Sequence, residues 1–149
     1  KGNPKRFPLT PNEQYAFMSM WCLMAAPLVY SGDMSRLDEF TLNVLCNPEV
    51  IEVDQDPRGL CAEVITLTPD TFVMVKAMED GSKAVGLCNR GESDASIAAT
   101  WSALGITGKH TVRDLWRQKD LGQFEAEFKT DVPHRGVVLV RLSPASQKQ

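Results

Sequence analysis

The stretch from Pro11 to about Ala26 constrains the fold of this chain more than any other. Thr10 is placed to cap a helix, Pro11 suits the first helical position, and Glu13 can reach back to complete a capping box. A helix is therefore predicted over Pro11–Ala26. Its apolar residues Phe17, Met18, Met20, Trp21, Cys22, Leu23 and Met24 fall on almost every side, so protein must cover it on more than one face. The longer apolar run, Tyr15 to Tyr30, is interrupted by Ser19 and Pro27 and is shorter than the ~20 residues needed to cross a bilayer. It reads as a buried element, with no membrane partner.

Pro27 ends that helix, and Leu28-Val29-Tyr30 reads as a short buried strand closed by the turn Ser31-Gly32-Asp33. A second helix is predicted from Ser35, with Asp38 as its capping-box partner. Leu37, Phe40, Thr41, Val44 and Leu45 make one buried stripe, and Asn47-Pro48 stops it. One helix-strand-helix unit cannot pair both edges of an apolar strand or cover both its faces. Residues 1–56 are therefore expected to be the end of an α/β barrel, a remnant whose other strands lie elsewhere.

After Asp56-Pro57-Arg58-Gly59 the texture changes to short β-rich runs separated by turn residues, which places a domain boundary near Pro57. Strands are predicted at Ala62–Leu67, Thr71–Met78, Lys83–Cys88, Ala95–Thr100, Thr111–Leu115, Phe124–Thr130 and Val137–Leu142. Thr68-Pro69-Asp70, Glu79-Asp80-Gly81-Ser82, Asn89-Arg90-Gly91 and Pro133-His134-Arg135-Gly136 supply turns. Residues 57–149 are thus expected to form an all-β antiparallel Greek-key sandwich of about seven or eight strands.

The composition, 43% hydrophobic and 23% charged, is that of a packed globular chain. Its 16 basic and 19 acidic residues are dispersed, with no basic stripe to neutralise phosphates, so nucleic acid is not an expected partner. Lys1–Arg6 is basic, but the apolar run behind it starts too late for a signal peptide. Cys22, Cys46, Cys61 and Cys88 show neither a C-x-x-C pair nor a histidine at metal spacing, and are read as buried free thiols. Gly91, Gly105, Gly108, Gly122 and Gly136 read as turn glycines and form no phosphate loop. Neither a metal nor any other cofactor is expected.

An ordered set of short motifs carries a family resemblance. Leu9-Thr10-Pro11-Asn12-Glu13-Gln14, Trp21, Ala25-Ala26-Pro27-Leu28, Gly32-Asp33-Met34, Leu42-Asn43 and Asn47-Pro48-Glu49-Val50-Ile51 through Asp54-Gln55-Asp56-Pro57 fall in sequence. In the β-rich half follow Trp101-Ser102-Ala103-Leu104-Gly105-Ile106, Val112-Arg113-Asp114-Leu115-Trp116 and His134-Arg135-Gly136-Val137-Val138-Leu139. Together these resemble the C-terminal part of the α-galactosidase and α-N-acetylgalactosaminidase family, glycoside hydrolase family twenty-seven of the melibiase type. The resemblance implies that Pro11–Ala26 is the seventh barrel helix, Leu28–Ser31 the eighth strand and Ser35–Cys46 the eighth helix.

It also implies a retaining exo-glycosidase that removes terminal α-linked galactose, with two carboxyl groups ~5–5.5 Å apart as nucleophile and acid/base. In the family these are aspartates in a Tyr-Asp pair on the fourth strand and an Arg-x-x-x-Asp segment near the sixth. Arg36-Leu37-Asp38-Glu39 and Arg113-Asp114 have the wrong spacing, and no Tyr-Asp pair occurs. The catalytic aspartates and an Asn-Asp-Pro-Asp-Met segment are expected to precede Lys1. Hence no catalytic residue is assigned here, the chain alone is expected to be inactive and stabilising, and its expected partner is the missing N-terminal catalytic barrel, which would bring terminal α-galactosides.

Barrel active sites form at the C-terminal ends of strands, so Ser31 and Asp33 are the candidate rim residues. The competing role for Asp33 is accepting backbone hydrogen bonds in its turn. Trp101 and Trp116, with Phe124, are candidates for stacking on a sugar, against the simpler role of filling a core. Glu13 is read as a cap, Asp54 and Asp56 as hydrogen-bonding groups at the boundary, and His110 and His134 as surface loop residues. The alternative to a hydrolase part is a non-catalytic carbohydrate-binding or protein-interaction sandwich; a homo-oligomer could also cover the apolar surface. Family resemblance favours an exported protein, whereas four unpaired cysteines argue the other way.

Overall fold

The computed structural model describes residues 8–145, so the Lys1–Arg6 segment lies outside the described residues. Helix α1 spans Pro11–Leu23 and carries the predicted capping box in full. Glu13 N–H donates to Thr10 Oγ1, and the Glu13 carboxylate accepts from Thr10 N–H at 2.8 Å. The helix stops three residues before Ala26, because Met24 caps it and Ala25 takes a left-handed φ of 50°.

Leu28–Tyr30 pairs with no strand among the described residues, and Val29 is 84% exposed. A strand needs a neighbour's edge, and no described segment offers one here. The second helix also starts later than predicted. Met34–Arg36 is a separate 3₁₀ turn, and α2 spans Glu39–Leu45 with Asp38 itself as N-cap. Asn47-Pro48 does more than stop α2: it opens α3, Pro48–Asp54. Asn47 Oδ1 accepts from Glu49 N–H at 3.0 Å and Val50 N–H at 3.2 Å, and Pro48 needs no donor at its position.

Eight antiparallel strands follow: β1 Glu63–Leu67, β2 Thr71–Ala77, β3 Lys83–Asn89, β4 Ala95–Thr100, β5 His110–Asp114, β6 Lys119–Phe124, β7 Glu127–Val132 and β8 Gly136–Pro144. A four-residue helix, α4 (Trp101–Leu104), follows β4. Six strands form one sheet in the order β1-β2-β3-β8-β5-β6, and β4 and β7 form a second. The chain leaves the large sheet after β3 and after β6, and β8 returns between β3 and β5. That exchange between sheets is what makes the sandwich a Greek key.

Two strand readings change. Phe124–Thr130 is not one strand: β6 ends at Phe124 in the large sheet, the chain turns at Glu125-Ala126, and β7 starts in the other. Strand β6 itself was unforeseen because Lys119–Phe124 is an edge strand with exposed residues and no apolar alternation. Gly122 therefore lies within a strand, beside the bulge in β5–β6 pairing, where its φ of 112° excludes most side chains.

The inner strands of the large sheet are buried on both faces. Val73, Val85, Leu87, Val112, Val138, Val140 and Leu142 face the small sheet and meet Ile97, Ala99, Phe128 and Val132. Met74, Ala84 and Leu139 face the helices, meeting Met18, Cys22, Leu23, Val44, Val50 and Val53. Alternate residues of one strand thus serve two cores. Gly86, in mid-strand, shows how closely the layers approach: a Cβ there would lie 2.6 Å from Leu23 Cδ1.

Two arginines tie α3 to the sheet. Arg113 holds Glu49 through Nε at 2.8 Å and Nη2 at 2.6 Å, a bidentate pair. Arg141 reaches Glu52 at 3.0 Å, Asp80 at 2.9 Å and Ser82 Oγ at 2.9 Å. Asp56 bridges two segments, its two oxygens accepting from the Arg58 and Glu79 N–H groups. Asp54 Oδ2 accepts from Gln55, while its buried Oδ1 has no partner among the described residues.

All four cysteines are unpaired, but only Cys22 and Cys88 are buried; Cys46 and Cys61 are exposed, in the junction after α2 and the connection before β1. Burial pushes both inner thiols up to about 12, with the Asp54 charge adding to the effect at Cys22. A thiolate-directed reagent at mildly alkaline pH should label two cysteines quickly and the other two only on unfolding. Rapid labelling of Cys22 or Cys88 in the folded chain would contradict this packing.

Candidate functional site

The helical layer carries an uncovered apolar groove of about 390 Å³ between α1, the 28–34 segment and α2. Phe17 and Trp21 stack along one wall at 5.3 Å and 21°, and the Trp21 indole N–H donates to Pro27 O at 2.9 Å. That bond holds the chain after the helix against the ring, bringing Leu28 and Tyr30 into the wall. Phe17 is 52% and Met34 50% exposed, and Leu42 is also open to solvent. The all-round apolar character of α1 is legible in the sequence; the structure shows which part of it remains bare.

Ser31 and Asp33 lie on the exposed loop that follows this wall. Asp33 Oδ1 accepts from Ser35 N–H at 3.0 Å and from Ser35 Oγ at 2.6 Å, capping the 3₁₀ turn. The carboxylate is thus oriented by its own turn. Glu13 is committed to Thr10 and, at 3.3 Å, to Arg135; the Thr10 backbone and side-chain hydrogen bonds, then Arg135, hold its carboxyl below the usual range. Among the described residues no group of three or more His, Cys, Asp or Glu is arranged to hold a metal ion.

The aromatic candidates lie apart from the groove. Trp101 is buried at 4% exposure, with its indole N–H on Gly108 O at 2.8 Å. Trp116 is half-buried; its indole N–H donates to Ser19 Oγ at 2.8 Å and its ring meets Tyr15 edge-on at 4.7 Å. Phe124 packs edge-on against Phe128 at 5.3 Å. The structure does not bring these rings together as a platform.

The histidines differ from one another. His134 is exposed in the β7–β8 turn, its Nδ1 3.1 Å from Asp94. His110 corrects the surface-loop reading: it opens β5, is 6% exposed and meets Trp101 edge-on at 5.8 Å. Alternation along β5 turns His110, Val112 and Asp114 inward.

The arrangement is thus an antiparallel sandwich carrying a partly bare helical layer, with no set of converging catalytic groups among the described residues. It matches the C-terminal part of glycoside hydrolases. Residues 68–142, about half of the chain, match the family model described as the α-galactosidase C-terminal β-sandwich domain, and residues 4–56 match that described as α-galactosidase A. The chain belongs to the glycoside hydrolase family 27 α-galactosidases and corresponds to their C-terminal part.

An α-galactosidase of Cyamopsis tetragonoloba is 31% identical over 140 residues, covering 93% of this chain and 34% of the plant protein. One from Coffea arabica is 36% identical over 138 residues, covering 91% and 36%. Among solved structures, α-galactosidase I of Mortierella vinacea superposes with a TM-score of 0.90 at 27% identity, covering 97% of this chain and 38% of that one. A family 27 β-L-arabinopyranosidase of Geobacillus stearothermophilus gives 0.89 at 29% identity, covering 95% and 32%. The chain therefore spans about a third of the length of these relatives.

Proposed function

We propose that this chain is the scaffold-forming C-terminal part of a retaining α-galactosidase-like hydrolase, in which residues 1–56 complete a catalytic barrel and 57–149 brace it. The carboxylates that break the glycosidic bond belong to the preceding part of the parent enzyme. The single observation that carries this reading is the bare groove: Phe17, Val29 and Met34 present apolar surface that a barrel wall would cover. The unpaired Leu28–Tyr30 segment fits the same arrangement, as a closing strand without its neighbours. Within it, Ser31 and Asp33 would stand at the rim of the sugar site. Terminal α-galactosides are the substrates the family relation supports.

The test joins the N-terminal two-thirds of the Coffea arabica enzyme to this chain at the corresponding point. The isolated 149 residues should give no hydrolysis of a chromogenic α-galactoside above buffer, whereas the chimera should hydrolyse it. Turnover by the isolated chain, abolished by Asp33→Asn, would overturn the proposal, as would a folded chimera without activity.

A further inference from the structure

The helices cover the large sheet unevenly. Near the start of α1, Asn12 Nδ2 donates to His134 O at 3.2 Å, just ahead of β8. At its end, Leu23 O accepts from Ala62 N–H at 2.8 Å, just ahead of β1. The helix therefore crosses the sheet obliquely and leaves a wedge beside the turn end of the β1–β2 hairpin. This depression holds about 600 Å³ and lies on another flank of α1 from the groove; Leu9 and Phe17 line both.

The wedge is apolar. Ala16, Phe17 and Met20 come from α1 and Phe72 from β2. Strand register carries the apolar surface on to the edge of the sheet. Val64 pairs with Met74 and Leu67 with Phe72, and directly opposed residues share a face, so both stand on the side that meets the helices. They are nevertheless 52% and 67% exposed. Two neighbouring strands together are ~10 Å across, which is the diameter of one helix.

Arg90 gives this seat its charge. Its Nε donates to Pro69 O at 2.8 Å and its Nη2 to Thr68 O at 3.2 Å, and the guanidinium lies 5.9 Å from the centre of the Phe72 ring. These contacts fix the cation at the rim without a carboxylate partner among the described residues. Glu92, which also lines the wedge, is held by Arg135 at 2.7 Å. An apolar floor one helix wide with a positive rim is complementary to an amphipathic helix that carries an acidic residue beside its apolar stripe. A second copy docked on the same patch would set the positive rim against itself.

We infer that this wedge seats an amphipathic helix from the preceding part of the parent enzyme, its apolar stripe covering Met20, Leu67 and Phe72 and its acidic residue pairing with Arg90. The inference rests on the reading of the chain as part of a larger hydrolase, and adds a second contact of stated chemistry outside the groove.

The test compares the isolated 149 residues with the Coffea arabica chimera, each carrying Leu67→Cys. The rate at which a maleimide labels the introduced thiol is read by peptide mass spectrometry. Labelling should be fast in the isolated chain and about a hundredfold slower in the chimera, while Leu121→Cys, on the opposite edge strand β6, reacts equally in both. Within the chimera, Arg90→Glu should raise the rate at position 67 about tenfold, and Arg90→Lys should leave it nearly unchanged. Equal labelling of position 67 in the two proteins overturns the inference, as does an Arg90→Glu chimera that stays fully protected. Protection that grows with the concentration of the isolated chain identifies a second copy as the occupant and overturns it too. Hydrolysis of the galactoside by the same chimera is read separately, so a folded, protected but inactive chimera counts against the catalytic reading alone.

Discussion

Lys76→Ala is expected to cost about 3–5 kcal/mol of unfolding free energy, combining a buried interface left unfilled with a buried carbonyl left without its donor. Lys76 lies on β2 among Met74 and Met78, on the face that meets the helices, and is only 1% exposed. Its ammonium donates to Val53 O in the last turn of α3. A cation there satisfies a carbonyl that the helix cannot, and it opposes the negative end of the helix dipole. Alanine removes the donor and also the four-carbon stem that fills the interface. Lys76→Met keeps the stem and should lose about 1–3 kcal/mol, the part owed to the unsatisfied carbonyl. Urea unfolding of the three proteins separates the two contributions. A Lys76→Ala chain within about 1 kcal/mol of the parent would show that this bond holds nothing together.

Asn47→Ala should be the next most damaging change, at about 2–4 kcal/mol, because one side chain serves two structures. Its oxygen caps α3, a role worth about 1 kcal/mol. Its Nδ2 donates to Leu115 O at 3.1 Å, joining the helical layer to the chain just after β5, and removing a buried partner adds about 1–3 kcal/mol. Asn47→Asp separates the two: it keeps the cap oxygen and loses the donor, so it should recover only the capping share. Equal melting curves for Ala and Asp would mean that the cap contributes nothing.

Asn47 also shows where sequence analysis stopped short. Asn-Pro after an apolar stripe is a good stop signal, and the same pair is a good start signal; the chain uses it as both. The seven strand regions were readable because apolar alternation and turn residues coincide there. β6 was not, since an exposed edge strand carries no burial pattern. His110 was misplaced because sequence gives no sign that the turn before it brings Gly108 O under the ring. The family was legible from ordered motifs, whereas the bare groove depends on segments distant in sequence meeting.

The shared core of helices and sheet bears on how this part could be moved between enzymes. Pro57 marks a change of texture along the chain, yet Met74, Ala84, Leu115 and Leu139 are sealed by residues that precede it. A swap made at Pro57 would carry a sandwich with its inner lining showing. The smallest transplantable piece begins ahead of Thr10, so exchange of modules among such hydrolases should respect packing seams in preference to the point where the sequence changes character.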